Sequence, residues 1–250
     1  MKFLAIIPAR YASSRFPGKP LAMLGGRPMI EHVYRRVSSV MGDDVAVATD
    51  DSRIAEAVEA FGGRAVMTSA SHRSGTDRCR EACDIIGGDY DVVINVQGDE
   101  PFIAASQIRA LMGCFDSPEV DIASLARPFP PTGSYDTLAD PNTPKVVTDT
   151  QMNALYFSRS VVPYVRDAAY EEWPSKVGFL THVGLYGYRV EVLRSITGLP
   201  QSPLELAESL EQLRWLQAGY KIRMALTEEP TIGIDTPADL AAAEAMLRND

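Results

Sequence analysis

The sequence predicts an α/β protein built on a largely parallel sheet, and three observations lead there. Short apolar runs alternate with longer amphipathic stretches, the pattern of successive βα units. The runs at 3–9, 45–49 and 92–96 have strand length and strand composition, and each is followed by a polar or glycine-containing segment. The chain has 250 residues and is 46% hydrophobic, enough for one large core or two modest ones.

The first strand, 3–9, opens into a polar loop from Arg10 to Arg27, and a helix is expected over 28–40, with Pro28 suited to its first turn. A second strand over 45–49 ends at Asp50, Asp51 and Ser52, whose side chains can cap a helix that runs to Phe61. Gly62 and Gly63 stop it. A third strand at 65–68, a polar loop at 69–76 and a helix over 77–86 come next. The strand at 92–96 is the most β-branched of the chain and runs directly into Gln97, Gly98, Asp99, Glu100 and Pro101.

Beyond that point the alternation loosens. Strands are expected at 123–127 and 145–148, on either side of a Pro-rich loop, and again at 154–158 and 182–189. Between the last two lies an excursion with Trp173 and Pro174 that reads as an arm. Residues 204–218 read as one amphipathic helix, and 222–226 as a strand. Asp235, Thr236 and Pro237 open a last helix in which Asp239 completes an approximate capping box.

Composition excludes several functions. The net charge of −9 argues against indiscriminate binding of nucleic acid or anionic membrane, which needs clustered Lys and Arg. The apolar run at 3–8 is far shorter than the roughly 18 to 20 residues that span a bilayer, and Arg10, Arg15 and Lys19 follow it where a secretory signal would end. A cytoplasmic location is expected. Cys79, Cys83 and Cys114 are an odd number of thiols with no C-x-x-C pair, so they read as reduced. Cys79, Cys83 and His72 have no fourth metal ligand nearby, and helix packing is preferred over zinc for them.

Five stretches carry chemistry. In open α/β sheets ligands bind beyond the carboxyl ends of strands, so the loop after the first strand is placed to hold one. It carries Arg10, Arg15 and Lys19 with Ser13 and Ser14, a set suited to triphosphate oxygens, although a solvated basic loop would carry the same charges. Gly18-Lys19 continues into Pro20, so this is no Walker loop, and no G-x-G-x-x-G follows the first strand, which removes a dinucleotide oxidoreductase. Asp99 ends the most β-branched strand at the same sheet edge and suits Mg²⁺, which takes one or two carboxylates plus substrate phosphates, while Glu100 reads as a turn residue. Asp235 is either a second such carboxylate or a plain helix cap. Ser74, Gly75, Thr76, Asp77 and Arg78 suit a base or ribose, and equally a helix N-cap. His182, Tyr186 and Tyr188 share one strand face, with Gly184 and Gly187 leaving room for a ligand.

Taken together, the motifs IIPARYASSRFPGKP (6–20), SGTDR (74–78), NVQGDEP (95–101), ALYFSR (154–159), HVGLYGY (182–188), SPLELAESLEQLR (202–214) and GIDTPADL (233–240) resemble the 3-deoxy-manno-octulosonate cytidylyltransferases, the CMP-Kdo synthetases, almost end to end. The resemblance implies a mostly parallel, Rossmann-like three-layer sugar-nucleotidyltransferase fold over a single domain, 1–250, with a dimerisation arm within 127–188. It implies a homodimer that joins CTP and Kdo, with Mg²⁺, into CMP-Kdo and pyrophosphate for lipopolysaccharide synthesis. By the same resemblance Arg10, Ser13, Arg15 and Lys19 hold the triphosphate, and Gly75, Thr76 and Arg78 meet the base or ribose. Asp99 and Asp235 hold the metal, and with Lys19 form the catalytic set. Gln97, Arg159, His182, Tyr186, Glu211 and Gln212 bind Kdo, with Arg159 placed to meet its carboxylate. A CMP-sialate-type synthetase would share the loop and the metal and differ only in the acceptor blocks. A regulatory nucleotide binder would not need both Asp99 and Asp235.

The charge is uneven. Residues 1–40 carry +6 and the rest −15, so the first βα unit is cationic and suited to one small, highly charged anion.

Overall fold

The computed structural model describes residues 1–12, 16–230, 233–234 and 236–247. They form an α/β protein whose chain divides into two compact units, one of 1–109, 187–197 and 230–250, the other of 110–186 and 198–229.

In the first unit β1 (Phe3–Ala9), the hairpin β2 (Met23–Leu24) and β3 (Arg27–Pro28), and α1 (Met29–Met41) come first. Next are β4 (Val45–Thr49), α2 (Ser52–Ala60), β5 (Ala65–Met67), α3 (Gly75–Ile86), β6 (Val92–Asn95) and α4 (Ala105–Gly113), the last of which reaches the unit boundary. The strands lie in the order β6-β1-β4-β5, all parallel. Leu4 to Ile7, Val45 to Ala48 and Val92 to Ile94 have no exposed surface, because helices cover a parallel sheet on both faces. This is why the strands read as unbroken apolar runs. Register pairs Ala9 with Thr49 and Ile6 with Asn95, so the loops after β1, β4 and β6 leave one edge together.

In the second unit β7 (Ile122–Pro128) pairs in parallel with β11 (Ile222–Leu226). The antiparallel set is β8 (Lys145–Thr148), β9 (Ala154–Ser158) and β10 (Leu180–Arg189), of which the part up to Tyr186 belongs here. Short helices α5 (Tyr135–Leu138) and α6 (Trp173–Lys176) flank the predicted arm. Trp173 is only 2% exposed, packed with Leu138 and Phe179 and ringed by Tyr135, Tyr164 and Tyr170 at 4.8–5.5 Å. The excursion is a packed aromatic cluster, worth more than its area because edge-to-face rings attract.

Helix α7 (Val190–Ile196) closes the first unit's middle segment, and α10 (Pro237–Leu247) its last. Neither α4 nor α7 nor the hairpin was expected: α7 and the hairpin are too short for a periodic pattern to stand out, and α4, though as long as α2, has only a weak apolar stripe. Pro28 caps α1 from outside, at ψ 143°, instead of entering its first turn. The single helix expected over 204–218 is two, α8 (Pro203–Glu208) and α9 (Gln212–Gln217). Ser209, at φ 51°, breaks them, and a Ser202–Glu205 capping box starts the first. Amphipathic spacing continues through the break because both pieces face the same core, with Glu205, Leu213 and Trp215 buried. The predicted capping box of α10 is present on Thr236: Asp239 accepts from the Thr236 amide at 2.8 Å, and Thr236 Oγ1 accepts from the Asp239 amide at 3.2 Å.

Candidate active site

At the carboxyl ends of β1 and β6 the first unit holds a cavity of about 250 Å³. Two glycines let its walls converge. A Cβ on Gly98 would stand 3.0 Å from the Pro8 carbonyl oxygen, and one on Gly75 would stand 3.2 Å from Pro8 Cγ. The end of β1 is thereby clasped between the start of α3 and the loop after β6. Gly18, at φ 71°, turns the loop after β1 into a short 3-10 turn that delivers Lys19 to the cavity, and its amide donates to Tyr11 O at 2.9 Å.

The lining is cationic: Arg10, Lys19, Arg73 and Arg78 face one another's cavity with Asp99 among them. Lys19 Nζ donates to Asp99 Oδ2 at 2.6 Å. Arg78 is 4% exposed, so its orientation is fixed; it donates to Thr68 Oγ1 at 2.6 Å and lies 3.4 Å from Asp50 Oδ1. The α3 N-terminus opens on the same space, with Ser74 accepting from the Asp77 amide at 3.1 Å and Gly75 in the lining. Ser74 is thus both cap and wall, and Thr76 is buried behind it. Glu100, partly covered, has its carboxyl pushed up to about 7 by burial and by the Asp99 charge next to it.

His72 and Arg73 line the cavity and were not singled out as ligand-binding from the sequence. Their signal was position, directly before the cap residue Ser74. His72 pairs with Glu81, which also accepts from the Ser69 amide at 2.8 Å, while Cys79 and Cys83 are buried on α3.

The acceptor residues expected from sequence fall in the second unit, except Gln97, which lines the first unit's cavity. His182 and Tyr186 lie together, ring centroids 5.4 Å apart, and Tyr186 packs edge-on against Trp215 at 5.3 Å. Glu211 and Gln212 start α9; Arg214 donates to Glu211 at 2.6 Å, and Gln212 is 4% exposed with Nε2 unpartnered. A buried amide donor without a protein partner is a position that an ordered water or a polar ligand completes. Arg159 donates to three carbonyls, of Glu208 at 2.6 Å, Pro141 at 2.7 Å and Ser209 at 3.3 Å, which pins the break between α8 and α9. Ser13, Arg15 and Asp235 lie outside the described residues. Arg214, which holds Glu211, and Glu205 beside it were missed, since a charge within a helical pattern carries no signal of its own.

Burial holds the His182 imidazole down to about 3, against an ordinary value of 6.5, so it is neutral at physiological pH. The unfolded chain then binds a proton that the folded chain refuses. Stability contributed here is full above about 6.5 and is lost as pH falls from there toward 3, by at most roughly 1.4 kcal/mol per pH unit, less what the ring's partial exposure screens. Urea denaturation of wild type and His182→Gln should therefore converge as pH falls from 7 to 4; parallel curves would contradict this.

A parallel α/β fold with a cationic cavity at its strand ends defines a nucleotide-handling transferase, and a family model described as cytidylyltransferase matches residues 4–222. The chain is 59% identical over 249 residues to 3-deoxy-manno-octulosonate cytidylyltransferase of Bacteroides thetaiotaomicron, covering 100% of this chain and 99% of that protein. It is 58% identical to the protein of the same name from Phocaeicola vulgatus, covering 99% and 98%. A solved CMP:2-keto-3-deoxy-manno-octonic acid synthetase in complex with CTP superposes with a TM-score of 0.90 at 45% identity, over 100% of this chain and 99% of that one. The chain belongs to the 3-deoxy-manno-octulosonate cytidylyltransferase family.

Proposed function

We propose that the protein transfers the cytidylyl group of CTP to the anomeric 2-hydroxyl of Kdo, giving CMP-Kdo and pyrophosphate for lipopolysaccharide synthesis. What carries the reading is end-to-end similarity to relatives of that one name, in a chain whose strand-end cavity gathers four cations around Asp99.

Nucleophile and leaving group are both anionic, so positioning and charge neutralisation should dominate the rate. Arg10, Ser13, Arg15 and Lys19 hold the triphosphate. Gly75, Thr76 and Arg78 meet the base or ribose, and Arg78 needs no reorganisation because Thr68 and Asp50 already fix it. Gln97, Arg159, His182, Tyr186, Glu211 and Gln212 bind the sugar acid, to which Gln212 Nε2 offers an uncommitted donor.

Asp99 has the chemistry Mg²⁺ takes, a carboxylate beside cations suited to phosphate, and the ammonium of Lys19 already stands on it, where a cation is favoured. Asp99 and Asp235 would hold the ion, which when bound neutralises phosphate charge and lowers the pKa of the sugar hydroxyl. Capping of α10 belongs to Thr236, so Asp235→Asn should abolish turnover while leaving the far-ultraviolet circular dichroism and melting temperature in place. Near-normal turnover would return Asp235 to a structural role.

The protein acts in the cytoplasm as a homodimer. No helix among the described residues is long and apolar enough to cross a membrane. Leu155, Tyr164 and Tyr170, exposed within 127–188, supply apolar surface for a second copy, which light scattering tests. The deciding assay is Mg²⁺-dependent release of pyrophosphate from CTP with Kdo or sialic acid as acceptor. Release with Kdo is the expected result, and release with sialic acid alone would overturn the proposal.

A further inference from the structure

Ser124 sits on β7 with no exposed surface, and three polar atoms surround its hydroxyl. The carbonyl oxygens of Leu185 and Val183 lie at 2.9 and 3.2 Å, and His182 Nε2 at 2.9 Å. A serine hydroxyl has one proton to give and two lone pairs to fill. The two carbonyls only accept, so the arrangement that leaves fewest contacts without a hydrogen gives the serine proton to Leu185 or Val183. The one neighbour left that can donate to a lone pair is the imidazole at Nε2. Were Nε2 bare, the serine would face three acceptors with one proton and two of the three contacts would hold no hydrogen, against one when Nε2 carries the proton.

We propose that Ser124 is a positioning residue that holds His182 as the Nε2–H tautomer, leaving Nδ1 as the acceptor that the imidazole offers to a hydroxyl of the sugar substrate. This rests on the reading that His182 contacts the sugar. Two further observations support it. Burial keeps the ring neutral, so only one nitrogen carries a proton, and Nδ1 has no protein partner among the described residues. The ring plane is fixed as well, edge-on to Phe157 at 5.0 Å and tilted against Tyr186 at 5.4 Å. A hydroxyl buried in a strand thus decides what hydrogen-bond pattern the site can read, and a sugar hydroxyl, a donor, is matched where a carbonyl or carboxylate oxygen is refused.

The test is a long-range proton–nitrogen spectrum of the whole protein labelled at histidine nitrogens. There are three histidines, and the signals absent from His182→Gln identify the one in question. In the wild type Nε2 should show the protonated, pyrrole-type shift and Nδ1 the bare, pyridine-type shift. Ser124→Ala should move population to the Nδ1–H form and raise KM for Kdo roughly tenfold, the size of one hydrogen bond to substrate, with kcat and KM for CTP within about threefold. Ser124→Thr, which keeps a hydroxyl, should restore both. An Nδ1–H wild-type pattern overturns the proposal without any substrate being present, even if Ser124→Ala does not fold. A shifted tautomer with unchanged KM for Kdo overturns the link to substrate. Absence of turnover with Kdo in a wild type that shows the Nε2–H pattern instead overturns the proposed function, so the two failures are distinct.

Discussion

Asp99→Asn lowers pyrophosphate release from saturating CTP and Kdo by at least roughly a thousandfold, several kcal/mol of transition-state stabilisation. The change is isosteric and keeps a hydrogen-bond acceptor for Lys19, which stands 2.6 Å from the carboxylate, so the fold should be retained while turnover is lost. Binding should move the other way from turnover. Removing a negative charge from a cavity that receives a triphosphate lessens repulsion, so metal-free CTP should bind the variant at least as tightly as the wild type. Calorimetry without Mg²⁺ and turnover with it separate the two effects. Turnover within tenfold of wild type, or weaker metal-free binding, would remove Asp99 from the reaction.

How much of this was legible beforehand differs by part of the chain. The strands over 45–49, 145–148, 154–158 and 222–226 are found at their expected bounds, because β-branched and apolar residues in runs of that length leave little choice. The edge at which Arg10, Lys19 and Asp99 meet was legible too: it follows from strand order, which parallel β1, β4 and β6 in register impose on whatever loops follow them. Local strain was not. Ser209 at φ 51° splits a helix whose hydrophobic period runs on without a break, and Ser is not the residue that announces a left-handed turn. Partnerships across long separations were also hidden. Nothing near Arg78 in the sequence indicates Thr68 and Asp50, nothing near His182 indicates Ser124, and the three carbonyls that engage Arg159 come from segments far from it. The resemblance named the residues that meet ligands; only the fold shows which residues hold those in place.

Arg214→Met tests that distinction on the largest scale. The guanidinium is nearly covered and serves three groups at once: Glu211 at 2.6 Å, Glu205 at 3.4 Å and the Leu199 carbonyl at 3.1 Å. Methionine fills much of the volume, so the loss is electrical. It leaves Glu205, 7% exposed, with only the Ser202 amide and Gln201, among the described residues, to meet a buried negative charge. Removing one member of a buried ion pair costs about 3 kcal/mol or more, which in a chain of this size lowers the melting temperature by roughly 6–12 °C. Glu205→Gln in the Arg214→Met background should recover part of that, since the stranded charge is then gone, whereas Glu205→Gln alone should destabilise. Function should fail along a separate axis. Glu211 loses the partner that fixes it at the start of α9, so KM for Kdo should rise while KM for CTP, set in the other unit, stays within about threefold. Equal rises in both would mean that the variant merely unfolds, and a thermal midpoint within 2 °C of wild type, well under the roughly 6 °C expected, would mean that the charges on Glu205 and Glu211 never depended on Arg214.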